Sequence, residues 1–278
     1  MRVGPAGYPD EAKGKTKAVF ALLENLGLSA LEYAAVYGLR LSEESASRIG
    51  ILAESNDIQM SMHAAYYISL ASKDPQVRER SKQRLVQALR LAPLMQVQRI
   101  VFHAGGYSGH TQAEAYSMVK DAISGALEIS DRRSKTTFLA PEIAGKTTAF
   151  GSPEELIRLC SEVEGCIPTI DWAHLYARSK GEVQTKEHYR RVLQQFEQGL
   201  GKVFVDNMHF HVSGIVFGET GEREHRPLGG EWGPDILPLV ELVLEMGYKP
   251  TFISETPDST RGALYVKALL QAMEKDDR

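Results

Sequence analysis

Arg99-Ile100-Val101-Phe102-His103-Ala104 is an apolar, strand-like run that ends on a histidine, and five more segments follow the same plan. Ser61-Met62-His63, Ala140-Pro141-Glu142, Ile170-Asp171-Trp172-Ala173-His174, Phe210-His211 and Ile253-Ser254-Glu255 each close a short apolar run, with a turn or helix pattern after it. A parallel barrel builds its site at the C-terminal ends of successive strands, one or two side chains from each. One such residue would carry little weight. Six in series, all with oxygen or imidazole donors, point to a cluster of metal ions.

Working outward, the chain alternates strand-like runs with amphipathic helical stretches, the pattern of repeated βα units. Strands are expected at Arg2–Gly4, Ala30–Val36, Gln59–Ala64, Arg99–Ala104, Thr137–Ile143, Pro168–Ala173, Met208–Ser213 and Thr251–Glu255. Helices are expected near 11–26, 43–56, 75–96, 111–130, 153–164, 184–199, 235–247 and 258–274. Ser42 before Glu43-Glu44, and Ser152-Pro153-Glu154-Glu155, pair a cap oxygen with acids in the first helical turn. Asp74-Pro75 and Gly233-Pro234-Asp235 place proline near helix starts, and Gly27, Gly165 and Gly247 stand where helices close. Eight units in 278 residues match a (β/α)8 TIM barrel, which runs to about 250 residues. No linker divides the chain, so residues 1–278 are expected to form one α/β barrel domain. The longest irregular piece is Gly214–Gly233, and a loop of that length in a compact domain is often functional.

Composition excludes several classes. A hydrophobic share of 43% and a charged share of 24% are those of an ordinary globular protein. No apolar run is long enough to span a membrane, and Met1-Arg2-Val3-Gly4-Pro5 lacks a signal core, so a cytoplasmic location is expected. Cys160 and Cys166 are the only cysteines, too few for a disulfide framework, and are expected as small core residues. A net charge of −4 argues against a protein that coats nucleic acid, but not against a metal enzyme whose cations invert the local field.

His63 and His103 end neighbouring strands, so their rings can meet across about 4.8 Å. Glu142 can set its two oxygens between two cations, while Asp171 and His174, three residues apart, can point to different ones. Two ions about 3.5–4 Å apart would activate water and neutralise a phosphoryl group. A lone histidine at a strand end is more often a hydrogen-bonded structural residue, and His110, His188 and His209 take that reading. His209 alternates with His211 and faces the same side, which suits a supporting role. Glu142 and Glu255 are harder to explain away, because a buried charge must be paired or bound to metal. Strand-end salt bridges are the alternative for the set.

The ordered set Met62-His63-Ala64-Ala65-Tyr66, Phe102-His103-Ala104-Gly105, Pro141-Glu142-Ile143-Ala144-Gly145, Ile170-Asp171-Trp172-Ala173-His174, His211-Val212-Ser213-Gly214, His225 and Ser254-Glu255-Thr256 resembles the endonuclease IV family. Members are xylose-isomerase-like (β/α)8 barrels that cut DNA 5′ to abasic sites at a trinuclear zinc centre, with a metal-bound hydroxide as nucleophile. The resemblance implies that His63, His103 and Glu142 hold a first zinc. Glu142, Asp171, His211 and Glu255 would hold a second, and His174 and His225 a third. It makes Glu142, Asp171 and Glu255 the catalytic carboxylates and places Tyr66 against the DNA lesion. Manganese or iron would suit the same donors. Damaged duplex DNA is the implied partner, with no membrane and no obligate protein partner.

Three departures stand out. Where the family carries an aspartate two residues before the last histidine, this chain has Arg223. The third ion then needs Glu222 or Glu224 to swing in, and Arg223 would contact DNA phosphate, which its forked donors suit. Val3-Gly4-Pro5-Ala6-Gly7 lacks the family's first-strand histidine, and Tyr33-Ala34-Ala35-Val36-Tyr37-Gly38 lacks its polar DNA contacts. Two other functions therefore compete: a metal-dependent sugar isomerase or epimerase on a related barrel, and a lesion binder that does not cut.

Overall fold

A computed structural model describes residues 1–130 and 137–276. Its strands are β1 (Arg2–Pro5), β2 (Ala30–Ala34), β3 (Gln59–His63), β4 (Val97–Phe102), β5 (Phe138–Pro141), β6 (Ile170–Asp171), β7 (His209–Val212), β8 (Gly214–Gly218), β9 (Gly221–Arg226) and β10 (Thr251–Ser254). Two parallel arcs of four, β1-β10-β7-β6 and β2-β3-β4-β5, make the barrel. Parallel bridges Ala6–Glu32 and Glu142–Thr169 join them on both sides, so the ring closes in chain order. The outer layer holds α1 (Thr16–Leu26), α2 (Glu43–Ser55), α3 (Pro75–Leu91), α4 (Gln112–Ile129), α5 (Pro153–Glu162), α6 (Trp172–Arg178), α7 (Lys186–Leu200), α8 (Lys202–Val205), α9 (Leu237–Glu245) and α10 (Ser259–Asp276).

Local chemistry sets these boundaries. The Ser42 and Ser152 side chains accept from the backbone N–H groups of Ser45 and Glu155, and Asp74 caps α3 with Pro75 in its first turn. Gly27 closes α1 in the left-handed region at φ 62°, where a Cβ would be strained. The apolar core lies between barrel and helices. There Trp172 packs edge-on against Tyr189 and Phe210, and Phe210 against Phe252, all fully buried. The barrel interior is different: Glu32, Arg99, Glu142, His209 and His211 are buried there as polar side chains.

Four expectations are corrected. The strand expected at Pro168–Ala173 is only Ile170–Asp171, because the Asp171 carboxylate accepts from the His174 N–H at 2.7 Å and starts α6 at once. The segment after β7 is not irregular: β8 and β9 form an antiparallel hairpin running from Gly214–Arg226 to Gly218–Gly221. The expected 75–96 helix stops at Leu91: Ala92 is still helical in backbone, but Pro93 has no N–H with which to extend the ladder. Pro234 sits in the loop ahead of α9 and Pro238 occupies its first turn. The cysteine pair packs as expected, Cys166 buried and Cys160 half-buried, with the sulfurs 3.6 Å apart.

Candidate metal centre

The strand ends converge as a C-terminal barrel mouth requires. His63 is the last residue of β3, His103 and Glu142 directly follow β4 and β5, and Asp171 ends β6. His174 lies in the first turn of α6, His211 on β7, His225 on β9, and Glu255 directly follows β10. All eight residues expected at the metals are brought together. Their donor atoms fall into three linked groups, each within 4.8 Å: His63, His103 and Glu142; Glu142, Asp171, His211 and Glu255; and Asp171, His174 and His225.

Glu142 is the hub. Its Oε2 lies 3.2 Å from His63 Nε2 and 3.3 Å from His103 Nε2, and its Oε1 lies 3.2 Å from both His211 Nδ1 and His174 Nδ1. Glu255 Oε1 is 3.3 Å from the same His211 nitrogen. Burial alone would raise the Glu142 carboxyl, but the neighbouring His103 and His211 outweigh it and hold it well below the usual range. Asp171 goes the other way: burial pushes it up to about 6 against the pull of His174, and its Oδ2 is buried without a hydrogen bond.

The far side of several rings decides which nitrogen faces inward. His63 Nδ1 is 3.0 Å from the Ala64 carbonyl, His174 Nδ1 3.1 Å from the Ile143 carbonyl, and His225 Nδ1 3.0 Å from the Glu255 carbonyl. A carbonyl only accepts, so each Nδ1 donates a proton to it and Nε2 is the nitrogen left to take a cation. His174 Nε2 and His225 Nε2 then face each other at 3.3 Å. Two lone pairs at that distance repel unless a proton or a cation lies between them. With the buried Asp171 Oδ2, 3.3 Å from His174 Nδ1 but without a hydrogen bond, and a donor set of imidazole and carboxylate, the residues fit divalent cations.

Of the two acids proposed to replace an aspartate ligand, one points inward. Glu222 Oε2 is buried without a hydrogen bond, 3.8 Å from His174 Nε2. Glu224 is exposed and pairs with Arg226 at 2.6 Å. Tyr66, 76% exposed, and Arg223 line the mouth of the 710 Å³ cavity above the centre. His209 supports the site and does not open to it. Glu32, outside the set expected from sequence, obeys the same rule as Glu142, a carboxylate inside an apolar strand (Ala30-Leu31-Glu32-Tyr33). Among the described residues, no helix is long and apolar enough to cross a membrane.

A closed (β/α)8 barrel with clustered His, Asp and Glu at its C-terminal mouth defines a class of barrels that can hold metal. The chain belongs to the xylose isomerase-like TIM barrel family, whose model matches residues 20–275. It is 33% identical over 254 residues to an uncharacterized protein of Methanocaldococcus jannaschii, covering 91% of each chain. It is 26% identical over 157 residues to a probable endonuclease 4 of Chlorobium phaeovibrioides, covering 54% of each. Among solved structures it is similar to endonuclease IV from Thermus thermophilus, at a TM-score of 0.77 and 21% identity over 99% of this chain and all of that one (100%). D-psicose 3-epimerase from Clostridium cellulolyticum shares the fold too, at a TM-score of 0.70 and 14% identity over 98% and 99% of the two chains.

Proposed function

We propose that this chain is a zinc-dependent phosphodiesterase that cuts damaged duplex DNA on the 5′ side of abasic sites. One observation carries the reading: the three ligand groups run together through Glu142 and Asp171 and end in the facing His174–His225 pair. A reaction that only moves a proton on a sugar needs one or two cations. Three linked groups suit a phosphodiester, whose charge must be offset on several oxygens as it reacts.

In this reading His63, His103 and Glu142 hold the first cation. Glu142, Asp171, His211 and Glu255 hold the second, and His174, His225 and Glu222 the third. Bound cations would polarise the phosphodiester and lower the pKa of attacking water. The chain's own groups fix the geometry. Glu142 spans two of the ligand groups, Asp171 both caps α6 and sets its second oxygen beside His174 in the centre, and the carbonyl-anchored imidazoles leave Nε2 as the nitrogen for a cation. Tyr66 offers an exposed ring on which an unpaired base or lesion gap can stack. Arg223 offers a forked donor to a backbone phosphate.

A sugar epimerase is the second reading. It draws on the Glu142, Asp171, His211 and Glu255 group, which would serve a single cation. The deciding experiment is incision of a duplex carrying one stable abasic analogue, before and after chelation. Cleavage on the 5′ side, abolished by chelator and restored by zinc, is expected. Tight binding without cleavage by zinc-loaded protein would favour a lesion binder, and turnover of free ketoses would favour the epimerase.

A further inference from the structure

Beneath the centre lies a polar cluster that the proposed chemistry does not use. Glu32 on β2 is completely buried, and three groups converge on its carboxylate. Ser61 Oγ donates to Oε2 at 2.8 Å, His209 Nε2 lies 3.0 Å from Oε2, and His211 Nε2 lies 3.1 Å from Oε1 and 3.2 Å from Oε2. Behind His209, on the side away from the cavity, sits the buried guanidinium of Arg99, with Nη1 3.3 Å from His209 Nδ1 and Nη2 donating to the Asn207 carbonyl at 3.4 Å.

Donor and acceptor rules then fix the whole chain of contacts. A guanidinium has no acceptor, so Arg99 donates and His209 Nδ1 must be bare. His209 is therefore protonated on Nε2, from which it donates to Glu32. An ionised carboxylate only accepts, so His211 must also donate, and its Nε2 carries a proton. That leaves His211 Nδ1 as the nitrogen turned to Glu142 and Glu255, 3.2 and 3.3 Å from their oxygens. Carboxylates face both nitrogens of His211, but Glu142 and Glu255 belong to the second cation's group; with a cation on them the acceptor left to His211 is Glu32 at Nε2, which selects the Nε2–H tautomer and bares Nδ1. The set Glu32, His209 and His211 has the spacing of a metal site itself, but Arg99 already occupies His209 Nδ1 and supplies the countercharge for Glu32.

We propose that Arg99, His209 and Glu32 form a buried positioning relay that holds His211 as its Nε2–H tautomer and so commits His211 Nδ1 to the second cation. Arg99 and His209 lie outside the cavity lining and Glu32, fully buried, reaches only its floor; each acts through His211. The inference rests on the metal reading above, and not on DNA being the substrate. Its bond balance is simple: hydrogen bonds orient protons already present, and no covalent bond is made or broken. Supporting groups of this kind typically change metal affinity by about 10–100-fold when lost.

The first test needs no variant. Nitrogen-15 NMR of histidine-labelled, zinc-loaded protein reads the protonation of each ring nitrogen. The expected pattern is His209 and His211 both protonated on Nε2, with His211 Nδ1 carrying the shift of a zinc-bound nitrogen. A zinc-bound Nε2 on His211, or a proton on His209 Nδ1, would overturn the relay. Glu32→Gln offers one acceptor to three donors, and should weaken one zinc site by about 10–100-fold in competition with a chromogenic chelator. Unchanged zinc affinity in a folded Glu32→Gln protein, with the wild-type His211 tautomer retained, would also overturn it. Failure to bind zinc at all would instead sink the metal reading, and failure to cut DNA would leave both of these readouts untouched.

Discussion

Glu142 sets the terms at the scale of single residues, because its two oxygens face four imidazoles. Glu142→Gln keeps the volume but loses the charge and one acceptor. Metal content should fall by at least one ion per chain, and incision by on the order of 100-fold or more, since that much follows from disturbing groups that merely support ligands. Metal analysis beside a rate measurement checks it, and full activity would overturn the assignment. Glu222 and Glu224 form a matched pair of controls. Glu222→Gln should lower the count from three ions to two, whereas Glu224→Gln should leave it alone, because Glu224 is exposed and paired with Arg226. Equal counts in both proteins would leave the third group without its carboxylate. Tyr66→Ala should weaken binding to an abasic duplex by about 1–3 kcal/mol, the usual worth of a stacking ring, with metal content unchanged. Most of the proposed ligands were legible in sequence because they close apolar runs with a group that is costly to bury alone; His225, in the polar stretch Glu222-Arg223-Glu224-His225, was legible only through the family resemblance. Glu32, inside an apolar strand, carries the same cost and Arg99 opens a run instead of closing one, but nothing in a single sequence says that residues 32, 99 and 209 meet; only barrel closure does that.

At the scale of elements, helix starts were legible wherever a cap oxygen and first-turn acids coincide, as at Ser42 and Ser152. The β8–β9 hairpin was not, because Glu222-Arg223-Glu224 breaks any alternation of apolar and polar residues on its second strand. That hairpin carries two of the proposed third-site ligands, and close backbone packing holds it in place. A Cβ on Gly221, whose φ is +112°, would stand 2.1 Å from the Gly145 carbonyl oxygen, and one on Gly145 would stand 1.9 Å from Glu222 Oε2 and 2.8 Å from Glu222 Cβ. The two substitutions should therefore separate stability from ligation. Gly221→Ala meets backbone and adds left-handed strain, so it should cost about 1–3 kcal/mol of stability. Gly145→Ala meets the Glu222 side chain, whose carboxylate can turn away while its Cβ yields only with a small shift of β9, so it should cost less stability but release one ion. Thermal melts and metal counts on both proteins check this, and a Gly145→Ala protein that keeps three ions would place Glu222 outside the ligand set.

For the whole molecule, metal binding and folding are linked through protons. In metal-free protein, burial lowers the His63 pKa but the hydrogen bond and charge of Glu142 raise it further, to about 9 from an ordinary 6.5. A group raised on folding stabilises the fold most below its unfolded pKa. The His63–Glu142 contribution should be fully present below about pH 6.5 and fade as pH rises through about 9. Under the zinc reading the slope reverses. The imidazoles must be bare to ligate, so zinc would compete with these protons and bind more tightly as pH rises over the same window. The melting temperature of chelated protein should fall from pH 6.5 to 9, while the gap between chelated and zinc-loaded protein widens. With zinc at a thousand times its dissociation constant the stabilisation is about 4 kcal/mol, or roughly 8–16 °C for a domain of this size. Paired melts at three pH values across that window settle the point. A gap that stays constant or narrows with rising pH would mean that zinc and proton do not share the His63 site, and the strand-end salt bridges anticipated as the alternative would then account for the cluster.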